Sequence, residues 1–287
     1  MTIRRNARPL SLSVLGSAVQ KLVLHVLLLA GSVLMLIPFL WMVSSALKEE
    51  SQIFVFPPQW IPNPIVWDNL RVAWNSIPMG RYYLNSLFIA STIVVGQLLT
   101  SALAAYVFAR LKFPGKNLIF MGFVATMMIP GQVTMIPLFL ILRAFHWVDT
   151  YQGIIVPALS YPFGIFMLRQ FFLSIPVDLE DAACIDGCSR LGILFRIILP
   201  LSKGAVSTLA VFIFMSQWNA FLWPLIVLNS QDKYTIQIGL AMLRTEMGTD
   251  WGILMAATFV ATLPVILLYL LAQKQIVRGI TLSGLKY

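Results

Sequence analysis

Acidic side chains are scarce in this chain. Only 11 Asp and Glu stand among 287 residues, and with Lys and Arg the charged share reaches 11%, against about 25% in soluble domains. A soluble core of this size needs a charged shell, and the sequence supplies none. Histidine and cysteine are scarcer still, two of each. His25 lies in the first apolar run, His146 in a later loop, and Cys184 and Cys188 sit four residues apart, so no four-ligand metal set comes together. The two thiols read as small residues at packed positions. There is no G-x-x-x-x-G-K-[ST] phosphate loop, no H-E-x-x-H and no Ser-His-Asp arrangement that topology brings together. These absences leave the chain without a catalytic constellation or a metal site of its own.

What is abundant is apolar sequence: 59% hydrophobic residues and a mean hydropathy of +0.85. Runs of about 20 apolar residues are long enough to cross a hydrocarbon layer about 30 Å thick. Six such spans are expected, at 22–46, 83–109, 117–142, 152–173, 204–228 and 252–273. The second is the cleanest, with 28 uncharged residues between Arg81 and Arg110, and the fourth is interrupted by Pro157, Pro162 and Gly164. The fold class expected is therefore an all-α membrane protein, with 1–21 a cytoplasmic N-terminal segment and 22–287 a single transmembrane domain. The first apolar run exceeds the 7–15 residues of a signal-peptide core, which makes it a retained helix. None of the 11 acids falls within a span. Proton-coupled carriers need intramembrane carboxylates, so the energy for any pumping must enter from outside this chain.

Fourteen of the 20 basic residues fall in the N-terminal segment, the 110–116 loop, the 169–203 segment and the C-terminal tail. The alternate loops hold the other six, Lys48, Arg71, Arg81, Arg143, Lys233 and Arg244. By the positive-inside rule both termini are cytoplasmic, and so is 169–203. The net charge of +9 is then a topology signal. The basic residues are dispersed and carry no aromatic platform, which excludes nucleic acid as a partner.

One amphipathic stretch of any size interrupts the apolar chain, LEDAACIDGCSRLGILFRIILPL at 179–201. It reads as two short helices hinged at Gly187, a hairpin over 178–200 between spans four and five. Asp178 is an N-cap candidate with Asp181 three residues on. The second helix starts near Ser189 and stops at Pro200. An apolar face of Ile193, Leu194, Ile197 and Ile198 suggests a surface for docking. An ordinary solvated loop is the alternative.

The motifs narrow the choice. D-A-A-x-x-D-G at Asp181 to Gly187, with I-I-L-P at Ile197 to Pro200, resembles the EAA loop of bacterial ABC importer permeases. W-N-A-F-L-W-P-L at Trp218 to Leu225, D-K-Y-T-I-Q at Asp232 to Gln237 and V-R-G-I-T-L-S-G-L-K at Val277 to Lys286 follow in order. Together they resemble the carbohydrate-importer permeases, within them the smaller permease of maltose-type systems. The chain departs from that pattern with Asp181 in place of the Glu and with Gly204 where proline is frequent.

That resemblance implies a permease domain in a bacterial inner membrane. Its partners would be a second permease, an ATPase dimer, an external substrate-binding protein, a small carbohydrate and membrane lipid. ATP and Mg would reside on the ATPase, with no cofactor in this chain. The hairpin would be the coupling element, through Glu180, Asp181, Ala182, Ala183, Asp186, Gly187 and Arg190. The loop 229–251 would meet the binding protein, with Leu243, Arg244, Glu246 and Met247 as contacts. Broken helices are tolerated where backbone lines a cavity, so Gln132 beside Pro130–Gly131, and Gln217 and Trp218 in span five, are expected on the substrate path. Asn219 is expected on an interhelical bond. Amides beside an aromatic ring suit a sugar, and interhelical glue is the competing role. The outer loop 47–82, with Trp60 and Trp67 among prolines, is expected along the membrane surface. Glycerol phosphate-type cargo stays open, as does a self-contained secondary transporter, which would carry intramembrane charge and an inverted repeat.

Overall fold

Proline and hydrogen-bond supply decide where the helices of this chain break. The computed structural model describes residues 12–244 and 248–284, with side chains over 20–244 and 248–274. In chain order the helices are α1 (Leu12–Ala46), α2 (Asp68–Ser76), α3 (Met79–Arg110), α4 (Lys116–Thr126), α5 (Gly131–Ala144), α6 (Gln152–Ala158) and α7 (Pro162–Ser174). They continue as α8 (Asp178–Ile185), α9 (Arg190–Leu201), α10 (Lys203–Trp218), α11 (Leu222–Val227), α12 (Ile236–Met242) and α13 (Trp251–Gly284). No strand is present among the described residues.

Four segments are long and apolar enough to cross a membrane: Gln20–Ala46, Met79–Arg110, Gln152–Ser174 and Trp251–Lys274. Two bent pairs raise the number to as many as six, α4 with α5 at 97° and α9 with α10 at 83°. The bend in the expected span 117–142 lies at Met127–Pro130. Proline pushes the residue before it out of the helical region, and Pro130 itself is extended, at φ −59 and ψ 130. The expected span 204–228 is one helix only as far as Trp218. Pro224 has no N–H and its ring opposes the carbonyl four residues back, so the chain leaves the helix at Asn219 and restarts as α11. Gln237 donates to the freed carbonyl of Trp218 at 3.3 Å.

The break between α6 and α7 is repaired from α3. Gln97 Nε2 donates to the Ala158 carbonyl, and Thr100 Oγ1 to that of Leu159 at 2.7 Å. A Cβ on Gly164 would stand 2.6 Å from Ser101 Oγ, so glycine is what lets α7 lie against α3 here.

The described residues fall into two compact units. One comprises Met1–Arg71 with Asp250–Phe259, the other Val72–Thr249 with Val260–Tyr287. In the first, Lys48 is fully buried beneath the outer loop, donating to the Gln59 carbonyl and standing 4.2 Å from the Trp41 ring centre. Burial lowers its pKa from the ordinary value. Glu50 accepts the N–H groups of Trp251 at 2.8 Å and Gly252 at 3.3 Å, neutralising the positive end of a 34-residue helix. In the second unit α3 is central and packs most extensively on α7 and α10, through buried residues such as Ile93, Leu168, Phe172 and Leu209.

Candidate functional site

The hairpin begins with three acids in the first turn of α8, where the helix dipole favours negative charge. Asp178 is not the cap. Val177 holds that position and no side chain caps the helix, so Asp178 stands inside the first turn. Gly187 turns the chain with φ +79, a left-handed conformation that glycine adopts without penalty. Ser189 then caps α9, its hydroxyl accepting the Gly192 N–H at 3.2 Å. The helix does not stop at Pro200 but runs through it to Leu201. A π turn over Leu194–Ile198 precedes the proline, with the Leu199 N–H bonded to the Leu194 carbonyl. That wider turn relieves the crowding a proline ring causes in a regular helix.

The two faces of the hairpin differ from the sequence expectation. Ile193, Leu194 and Ile198 are buried in this chain's own core, so they do not offer an apolar surface to a partner. The outer face instead exposes Asp181, Ala182, Asp186, Gly187 and Arg190, with Ile185 at 87% exposure. Ala183 is buried. Cys188 packs against the core, while Cys184 is exposed rather than packed.

Glu180 also faces inward, against the expectation that it meets a partner. It is 3% exposed and forms an ion pair with Arg110, the last residue of α3. Tyr106 donates to Glu180 Oε2 at 3.3 Å, and Arg110 Nη2 donates to the Ile175 carbonyl at 2.7 Å.

A cleft of about 300 Å³ opens between α5, α6 and the break from α10 to α11. Gly131, Thr134, Pro157, Ser216 and Gln217 are among its lining residues, and none of the lining residues is charged. Gln217 lines the cleft, whereas Gln132 is exposed and is not among the lining residues. Trp218 is a correction. It is 1% exposed, its indole N–H donates to the Ala261 carbonyl at 3.0 Å, and its ring lies between Phe214 and Tyr83. That side chain packs the fold and does not face the cleft. Asn219 is exposed and donates to Met215 of its own helix at 2.8 Å, in place of the interhelical bond expected of it.

At the other end of α3 a polar cluster ties two loops together, and sequence reasoning missed it. Asp149 accepts the N–H groups of Asn229 at 2.9 Å and Ser230 at 3.0 Å, the Ser230 hydroxyl, and Lys233 Nζ at 3.0 Å. Burial pushes its carboxyl up, but the hydrogen bonds from Ser230, Asn229 and Lys233 prevail and hold it well below the ordinary carboxylate range. Asn85 of α3 donates to the carbonyls of Asp232 and Tyr234, each at 2.9 Å, and accepts the Tyr151 hydroxyl at 2.9 Å. The available signal was an amide inside a charge-free apolar run, which must find a partner. Further along the second loop, Leu243 is half-buried and Arg244 exposed. Glu246 and Met247 lie outside the described residues.

Residues 97–282 match the family described as the binding-protein-dependent transport system inner membrane component. The arabinooligosaccharides transport system permease protein AraQ of Halalkalibacterium halodurans is 38% identical over 226 residues, covering 78% of this chain and 81% of its own. The sn-glycerol-3-phosphate transport system permease protein UgpE of Yersinia pestis is 33% identical over 264 residues, covering 89% of this chain and 94% of its own. Among solved structures, a bacterial ABC transporter involved in the import of the acidic polysaccharide alginate superposes with a TM-score of 0.80 at 22% identity, covering 96% of this chain and 99% of that one. At that identity the likeness is one of fold.

Proposed function

The chain belongs to the family of binding-protein-dependent transport system inner membrane components and is a transport permease, and from that premise we propose that it carries a neutral sugar or related glycoside through the membrane by ATP-driven alternating access. A second permease completes the pathway with it. An ATPase dimer, which holds ATP and Mg, drives the cycle through the outer face of the hairpin. A binding protein delivers cargo at the opposite membrane face, where the 229–251 loop receives it. Both termini and the hairpin are cytoplasmic in this reading, and the six spans comprise the four segments long and apolar enough to cross, the bent pair α4–α5, and α10 continued by α11.

The observation that carries the cargo class is the uncharged lining of the cleft. Thr134, Ser216 and Gln217 offer hydroxyl and amide groups suited to sugar hydroxyls, and the cleft has no cation to neutralise a phosphate. This favours a neutral cargo over the glycerol phosphate of the Yersinia relative. The test is uptake by proteoliposomes holding the complete transporter, offered labelled arabinotriose, maltotriose and glycerol 3-phosphate. A neutral oligosaccharide should enter in an ATP-dependent manner. Gln217→Leu should lower that uptake about tenfold, the scale of one lost hydrogen bond of about 1 kcal/mol or slightly more, with assembly retained. Trp218→Ala should instead lower the amount of assembled complex. Uptake of glycerol 3-phosphate alone would refute the assignment.

A further inference from the structure

Buried ion pairs are weak evidence of stability, because desolvation offsets much of the attraction and a well-packed apolar pair does as well or better. The Glu180–Arg110 pair, with side-chain exposures of 4% and 7%, therefore needs another reason to be there. Its place in the fold supplies one. Glu180 sits in the first turn of α8, on the face turned away from the exposed Asp181 and Asp186. Arg110 is the last residue of α3. The pair is thus a joint between the hairpin and a single unbroken helix. That helix has 32 residues and so is about 48 Å long at about 1.5 Å per residue. No proline interrupts α3, whereas α4–α5, α6–α7 and α10–α11 are all broken. Near its far end Asn85 holds the backbone of Asp232 and Tyr234. Arg110 is further fixed by its bond to the Ile175 carbonyl, and Glu180 by the Tyr106 hydroxyl. A displacement of α8 therefore meets α3 through a fixed charge pair.

We propose that Glu180 and Arg110 are positioning residues that join the hairpin to α3, so that movement of the hairpin is carried along α3 to the 229–235 loop. This rests on the reading of the hairpin as the ATPase-coupling element. It assigns Glu180 to the inside of the joint, leaving Asp181 and Asp186 for the ATPase. Charge suits the task. A bidirectional push and pull across a helix end needs an attraction that resists separation, which opposite charges held together in a buried site supply.

The experiment uses the complete transporter in nanodiscs, with an environment-sensitive fluorophore attached after Gln231→Cys in a Cys184→Ser, Cys188→Ser background. Two quantities are read on adding MgATP: ATP hydrolysis per assembled complex, and the fluorescence change at position 231. The parent protein should show both. Glu180→Gln should lower the fluorescence amplitude about tenfold while hydrolysis falls less than about twofold, the scale of an ordinary coupling between sites. Glu180→Asp should restore part of the amplitude. Glu180→Gln combined with Arg110→Met removes both charges, leaves no unpaired ion, and should assemble yet still lose the amplitude. The proposal is overturned if the amplitude falls only in proportion to hydrolysis or to assembled complex, or if the parent shows no change at position 231. Asp181→Lys, on the exposed face, separates the two readings. It should lower hydrolysis and amplitude together. If Asp181→Lys alters neither, the hairpin is not the docking element, and the amplitude-to-hydrolysis ratio at Glu180 still decides the joint.

Discussion

Asp149 shows how one carboxylate organises a loop. Its four donors come from Asn229, Ser230 and Lys233, across some eighty positions of sequence. The folded protein favours its ionised form, so its pKa lies below the ordinary 3.8. A depressed carboxyl pKa contributes stability that is present above the unfolded value and is lost as pH falls through the folded one. Asp149→Asn should therefore lower the thermal midpoint of the detergent-solubilised protein at neutral pH. The difference from the parent should shrink progressively as the pH is taken below the carboxylate range. A difference that is constant with pH would assign the effect to packing. Asp149 was illegible in the sequence, where it is one acid in a short loop. Glu180 and Trp218 were legible as important but not in role. Glu180 lies three residues before the buried Ala183, which puts both on one face of α8. That pattern marks an inward carboxylate, and Arg110 ends one of the two longest charge-free runs. For Trp218, the packing partners Phe214, Tyr83 and Ala261 decide the direction, and two of these three come from other helices.

At the scale of elements, charge-free length marked the apolar helices but not their breaks, since 204–231 is as free of charge as 82–109 and yet leaves the helix at Asn219. The expected 83–109 and 252–273 lie within α3 and α13; the first holds no proline, and the second stays helical through Pro264. The breaks were legible where proline stood beside glycine, as at Pro130–Gly131. In span five a break was expected at 216–219, and the helix leaves at Asn219, just past it, because the residue responsible, Pro224, lies further on. The repair of each break was not legible, since the donors come from other helices. Gln97 is the clearest instance: its Nε2 serves the carbonyl of Ala158 where α6 ends. Gln97→Leu leaves that carbonyl without its donor and should destabilise the helical packing by about 0.6–1.7 kcal/mol, from the mean to the maximum measured for interhelical bonds in a membrane protein. Chemical denaturation in mixed micelles measures this. No loss would mean that the break is satisfied another way.

For the whole molecule, α3 relates the two ends of the larger unit. Its C-terminal end meets Ile175 and Glu180, and its N-terminal part meets Asp232 and Tyr234. The loops joined at each end are those that the distribution of basic residues assigns to the same side of the membrane. The permease identity was legible from ordered motifs, and the hairpin's division into an inner and an outer face was not. Short amphipathic helices fit either burial pattern until their neighbours are known. The central claim is that ATP hydrolysis on a partner reaches this chain through Asp181, Asp186 and the Gly187 turn. The most direct measurement is ATP hydrolysis by the purified complex, with and without cargo-loaded binding protein, for the parent and for Asp181→Lys combined with Asp186→Lys. The account predicts that the charge-reversed protein inserts and assembles with its partner permease but loses the stimulation, because reversed charge opposes a complementary surface. Full stimulation of the charge-reversed complex would contradict it.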